Sequence, residues 1–233
     1  MSNRKINFLK IIRNFILFFF ATSILWVLLL RFVPVYFTPL MGIRVVEAMV
    51  DGRAHNIQKQ WVPMSEISQN MVNAVIASED NLFMQHSGFS FDDIKKASKE
   101  NKKGRRFRGG STISQQTAKN VFLWPARSYF RKAMEAYFTV LIELLWSKER
   151  IMEVYLNVIE MGDGVYGIQA ASIHYFNKDA SKLTRSQAAL VAVCLPSPRR
   201  FNPAKPSSYI SRRKNAILSL MPKLERVDFH KNE

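Results

Sequence analysis

Residues 131–167 read RKAMEAYFTVLIELLWSKERIMEVYLNVIEMGDGVYG. Apolar side chains recur at helical spacing on both sides of a break between Trp146 and Lys148. Gly162, Gly164 and Gly167 then mark a loop into a further helix. Working outward, the same alternation of helical periodicity and short polar breaks continues, and few runs read as strands. The spacing predicts helices near Ser65–Asp80, Phe91–Lys99, Thr112–Phe122, Ser128–Trp146, Lys148–Ile159, Val165–Tyr175, Thr184–Cys194 and Tyr209–Leu224. The expected fold class is all-α, or mostly α. There are no internal repeats or low-complexity tracts.

The chain has 233 residues with 34 Lys and Arg against 18 Asp and Glu, a net charge of +16. Such an excess favours a partner that carries phosphates: nucleic acid, anionic lipid or a pyrophosphate. Cys194 is the single cysteine and sits in an apolar run, so no intramolecular disulfide and no thiolate cluster can form. His55, His86, His174 and His230 show no zinc-binding spacing, and no structural metal is expected.

Between Arg13 and Arg31 the chain reads NFILFFFATSILWVLLL without a charge, and FVPVYF continues the apolar character. A hydrocarbon core of about 30 Å takes roughly 20 such residues. Arg4, Lys5, Lys10 and Arg13 precede the run, which keeps the N-terminus cytoplasmic and sends the rest outward. A cleaved signal peptide is the alternative, but no small-residue cleavage pattern follows Leu30. Residues 1–37 therefore read as a cytoplasmic tail and transmembrane anchor, 38–60 as a linker, and 61–233 as one domain. An exported domain meets few nucleic acids, so that partner is set aside.

Glu79 and Asp80 close the apolar run MVNAVIASED. A carboxylate there faces the negative end of the helix dipole, an unfavourable placement for stability that raises its pKa and improves it as a general base. A frayed surface terminus would carry the same pair. In GGSTISQQTAKN, residues 109–120, the glycines and the capping-box spacing Thr112-x-x-Gln115 predict a helix N-terminus, a site that favours an anion. Thr112, Gln116, Lys119 and Asn120 fall at helical spacings as a polar stripe, either an ordinary solvent face or a phosphate grip. Arg131 and Lys132 sit where the dipole disfavours cations, which an anionic ligand would offset; an exposed Arg131–Glu135 pair is the plainer reading. Glu153 and Asn157 share a helical face in supporting positions, and Tyr155 and Asn157 either tie helices together by hydrogen bonds or line a sugar site. Lys95–Arg108 holds eight cations against one Glu. That run reads as a solvated loop, or as a segment that leans on anionic headgroups or gates a groove.

AVIASEDNLFMQHSGF, RGGSTISQQTAKN, RKAMEA, ELLWSKERIMEVYLNVIEMGDGVYG and LTRSQAALVAVCLPSPRRFNP, in this order, resemble the family 51 glycosyltransferases over about Trp61–Pro203. The resemblance implies a lysozyme-like helical fold with a small membrane-associated jaw. It implies an enzyme that polymerises lipid II by β-1,4 bonds with inversion and releases undecaprenyl pyrophosphate. On it, Glu79 is the general base. Lys119, Arg131 and Lys132 hold the pyrophosphate, and Glu135 is a second essential acid that orients those cations or a divalent ion, Mg²⁺ or Mn²⁺. No cofactor is tightly bound. Ser111, Thr112, Gln116 and Asn120 match substrate-lining positions, and Asp80, Phe83 and His86 match the first motif in supporting roles. The resemblance also places the domain in the periplasm, tethered to the inner membrane, with cell-division or elongation proteins as recruiting partners.

Two rivals differ in chemistry. A lysozyme-like lytic glycosidase also uses a glutamate but has no need of an anion grip. A membrane-tethered scaffold would bind cell-wall precursors without turnover. A transpeptidase activity is not expected: Ser211-Arg-Arg-Lys214 matches S-x-x-K, but no K-T-G follows.

Overall fold

The computed structural model describes residues 8–52, 56–90, 110–224 and 227–229. The chain divides into two units, Met1–Val33 and Pro34–Glu233. In the first, α1 (Phe8–Leu30) runs for 23 residues, about 35 Å at the usual rise. It is long and apolar enough to cross a membrane. Phe15, Leu17, Phe18 and Leu25 are exposed along it, and the hydroxyl of Thr22 is turned back onto the carbonyl of Phe18 at 2.8 Å.

The second unit is mostly helical. Its described helices are α2 (Pro39–Val50), α3 (Gln69–Glu79), α4 (Ile113–Phe122), α5 (Tyr129–Leu145), α6 (Lys148–Val158), α7 (Ile168–Phe176), α8 (Arg185–Cys194) and α9 (Ser208–Leu220). A small sheet has the order β1 (Gln58–Lys59), β3 (Val165–Tyr166), β2 (Glu160–Gly162). β3 runs parallel to β1 and antiparallel to β2. In the core, α4 packs against α5 and α6, α3 against α8, and α8 against α9. Ala188 and Ala192 of α8 are fully buried, as are Met71 and Val75 of α3, so small residues let these two helices approach closely.

Serine and threonine side chains cap the described helices of this unit other than α7, which follows Gly167. Thr112 caps α4 in a full capping box with Gln115. Ser128 and Ser147 cap α5 and α6. The expected helix over 65–80 begins only at Gln69, where Ser68 accepts from the Asn70 amide; a short 3₁₀ turn, Met64–Glu66, precedes it. The expected helix from Val165 begins at Ile168 instead. Gly167 has φ +78, and a Cβ there would meet the Asn157 carbonyl oxygen at 2.6 Å. Residues 165–166 are therefore free to join the sheet.

The expected linker over 38–60 instead carries α2 and β1. Thr38 caps α2, Pro39 stands in its first turn, and Met41 and Ala48 are buried. The expected helix Phe91–Lys99 and the basic run Lys95–Arg108 lie outside the described residues.

Candidate active site

Glu79 is the last residue of α3 and Asp80 its C-cap, and the two acids face different surroundings. Asp80 is buried. It accepts the Ile113 amide at the start of α4 (3.0 Å) and the His86 ring at 2.9 and 3.0 Å. The Gly88 amide donates to His86 Nδ1 at 3.1 Å, which leaves Nε2 as the donor to Asp80. The α4 N-terminus does hold an anion, but that anion is the chain's own carboxylate. The expectation of a phosphate at this end is corrected accordingly, and Thr112 is no wall of an open site. Its hydroxyl donates to the Gly88 carbonyl (2.7 Å) and accepts the Gln115 amide (3.1 Å).

Glu79 is partly buried and accepts from Gln116 Nε2 (3.0 Å) and the Ser78 hydroxyl (3.3 Å). Burial pushes its carboxyl above the usual range, with the negative charge of Asp80 adding to the rise. The two hydrogen bonds and the positive field of Arg213 only partly oppose it. The side chain is held ready to accept a proton in the pH range where ordinary carboxylates no longer can.

One turn beyond Gln116 on α4 comes Lys119, whose burial pushes its pKa down while Glu135 pulls it up and Arg131 and Lys132 push it down further. Glu79 also acts on Lys119, so the acid and the cations share one electrostatic neighbourhood. The carboxylate of Glu135 is 3% exposed; it accepts from Arg131 at 2.6 Å and from Lys132. This is not the exposed i,i+4 pair that spacing alone allowed. Gln116, Lys119, Asn120 and Arg131 line a single cavity of about 530 Å³, together with Tyr155. Lys132 is half exposed and reaches this group through Glu135. The Asn120 amide is tied to the Gln116 carbonyl (2.8 Å), and the Ser111 carbonyl accepts from Gln116 at 3.4 Å. Glu135 offers both of its oxygens to cations, and among the described residues no carboxylate cage forms for Mg²⁺ or Mn²⁺, which prefer several oxygen ligands.

The supporting residues stiffen this frame. Tyr155 is fully buried and its hydroxyl reaches Gln116 Oε1 at 3.4 Å, behind the amide that contacts Glu79. Asn157 pairs with both the amide and the carbonyl of Val62 (3.0 and 2.9 Å), while Glu153 accepts the Met64 amide (3.1 Å). Together they clamp the segment that leads to α3. Phe83 is buried, with Lys148 Nζ 4.6 Å from its ring centre. Lys148 also donates to the His86 carbonyl at 2.6 Å and pairs with Glu143 at 2.8 Å. The cavity residues not anticipated from sequence include three charged ones: Arg44 of α2, Arg127 before α5 and Glu160 of β2. Arg44 lay in a presumed linker, and nothing local distinguishes Glu160 from a solvated acid.

A carboxyl with a raised pKa and a cavity lined by cations are joined through one helix, on a helical domain that follows an apolar helix, an arrangement suited to taking a proton beside an anionic group. The transglycosylase family matches residues 45–222. The chain is 56% identical over 223 residues to the biosynthetic peptidoglycan transglycosylase of Bacteroides thetaiotaomicron, covering 94% of this chain and 90% of that one. It is 54% identical over 204 residues to the protein of that name from Bdellovibrio bacteriovorus, covering 88% and 82%. With that of Pseudomonas syringae pv. syringae it shares 51% over 209 residues, covering 90% and 89%. The chain belongs to the transglycosylase family, glycosyltransferase family 51, and has its lysozyme-like helical fold.

Proposed function

We propose that this enzyme polymerises lipid II into β-1,4-linked glycan strands at the outer face of the cytoplasmic membrane. It is a peptidoglycan glycosyltransferase. Glu79 takes the proton of the acceptor 4-hydroxyl as that oxygen attacks the anomeric carbon of the growing chain. The bond from that carbon to undecaprenyl pyrophosphate breaks with inversion. The departing diphosphate is received by Lys119, Arg131 and Lys132, and Glu135 fixes the last two. A positioned charge at a leaving group contributes most in the transition state, where negative charge develops.

The observation that carries this reading is that Glu79 and the cations meet through one helix. Gln116 of α4 holds Glu79, and Lys119 of the same helix enters the cavity lined by Arg131. A hydrolase acting on an uncharged glycan has no use for such a cavity. α1 serves as an uncleaved single-pass anchor with its N-terminus cytoplasmic, since basic residues precede it, and the catalytic unit is periplasmic. Full-length protein in detergent, given labelled lipid II, is expected to yield ladders of polymer. Fragmentation of preformed glycan with no polymer formed would overturn the proposal.

A further inference from the structure

The cavity that holds Lys119 and Arg131 is also lined by Arg44 and Glu160. Their ion pair is long, 3.6 Å from Arg44 Nη2 to Glu160 Oε2, although the Glu160 side chain is only 9% exposed. Arg44 gives its close contact, 2.6 Å, to Glu47. Arg44 Nε and Glu160 Oε1 are buried and make no hydrogen bond, and the same holds for the neighbouring Tyr166 hydroxyl. Burial raises the Glu160 carboxyl above its ordinary range against the pull of Arg44 and Arg199.

An ion pair that serves only the fold has its donors and acceptors satisfied, because buried unpaired groups are costly. Here two side chains that line the cavity each keep one buried polar atom unbonded. A carboxylate at this wall repels pyrophosphate, and a hydrocarbon chain cannot satisfy it. What fits against it is neutral and donates hydrogen bonds. In lipid II the group covalently joined to the pyrophosphate is a sugar, rich in hydroxyls and bearing an acetamide. With the pyrophosphate at Lys119 and Arg131, that ring lies next to it, and the cavity's size is ordinary for a small-molecule site. We propose that Arg44 and Glu160 form a saccharide-recognition pair. Glu160 accepts from a hydroxyl or the acetamide N–H of the pyrophosphate-bearing sugar, and Arg44 donates to an oxygen of the same ring. This rests on the lipid II reading above and adds a specificity contact to it.

The test uses the full-length enzyme in detergent with lipid II and with analogues in which one donor of that sugar is removed, as a deoxy position or an N-methylated acetamide. Wild type is expected to disfavour one analogue by at least about tenfold in kcat/KM. Glu160→Gln is expected to raise KM for lipid II about tenfold with a smaller fall in kcat, and to erase that discrimination, with an unchanged melting temperature. Unchanged discrimination in both Glu160→Gln and Glu160→Ala overturns the inference and leaves the pair a tie between α2 and β2. Should wild type fail to polymerise lipid II itself, the underlying reading falls. Should it polymerise while the variants discriminate as it does, only this inference falls.

Discussion

The two ends of α4 both gather positive charge and are treated differently. At its N-terminus the exposed amides are met by Asp80, by Thr112 and by Gln115, all from within the chain. Near its C-terminus Lys119 stands in an open cavity among other cations, and burial and its neighbours weaken its hold on its proton. The first end is complete without a ligand. The second is where the proposed mechanism places the departing diphosphate. The adjacent acids of α3 divide in the same way: Asp80 is spent on the fold, while Glu79 is left poised by an environment that disfavours its charge. Two neighbouring carboxylates thereby acquire two roles through surroundings rather than sequence.

If this division holds, Glu79→Gln should have the largest effect on turnover. Removal of the base is expected to lower kcat by about 10³ to 10⁴, with lipid II binding largely retained. The fold should not suffer. A carboxyl whose pKa is raised on folding binds its proton more tightly in the native state, so its contribution to stability falls as pH rises past the unfolded value. Glu79→Gln should therefore melt no lower than wild type at neutral pH, and thermal melts alongside the polymer assay check both halves. A stable variant with wild-type turnover would remove Glu79 from the chemistry.

Lys119→Ala comes next, with an expected loss of about 10² to 10³ in kcat/KM. Single-turnover kinetics should place that loss in glycosyl transfer rather than in binding. Asp80→Asn tests the opposite end of α4. One charged hydrogen-bond acceptor becomes neutral in a buried site, and stability is expected to fall by about 2 kcal/mol in denaturant titrations. Activity should drop less than about tenfold, since a supporting contact has been weakened and no reacting group removed. A larger loss of turnover in Asp80→Asn than in Lys119→Ala would reverse the assignment of the two ends.

Helix content and most caps are legible in the sequence because they depend on neighbours within a turn. Thr112 with Gln115, Ser128 and Ser147 each act on an amide three residues away. The N-terminal anion site of α4 was also legible, but its occupant was not, because Asp80 reaches it across a fold-dependent distance. α2 was hidden for a related reason: the apolar character of FVPVYF blurs into PLMGIRVVEAMV, and no helical stripe stands out. Thr38 followed by Pro39 is nonetheless a helix-start pattern that would have revealed it. The choice of Glu79, Lys119, Arg131 and Glu135 as candidates followed from their motifs. The partnership of Gln116 with Glu79 did not, since it joins two helices that are far apart along the chain.

That partnership gives the smallest effect and the sharpest one. Gln116 donates to Glu79 and so favours its charged form, opposing the rise caused by burial. Glu79 must be unprotonated to act, so the rate should climb as pH passes upward through its raised pKa, above the range of an ordinary carboxylate. Gln116→Leu removes the donor and leaves burial in place. The acid limb of kcat/KM is therefore expected to move further toward high pH. At pH well above the limb, the loss should be only about tenfold or less, because the base is again unprotonated and the cations are intact. A limb that stays in place would mean that this hydrogen bond does not tune Glu79, and that the base is set by burial and by its other neighbours Ser78, Arg213 and Asp80. A limb that moves toward low pH would reverse the sign of the contact and point to a protonated Glu79 as the form that Gln116 stabilises.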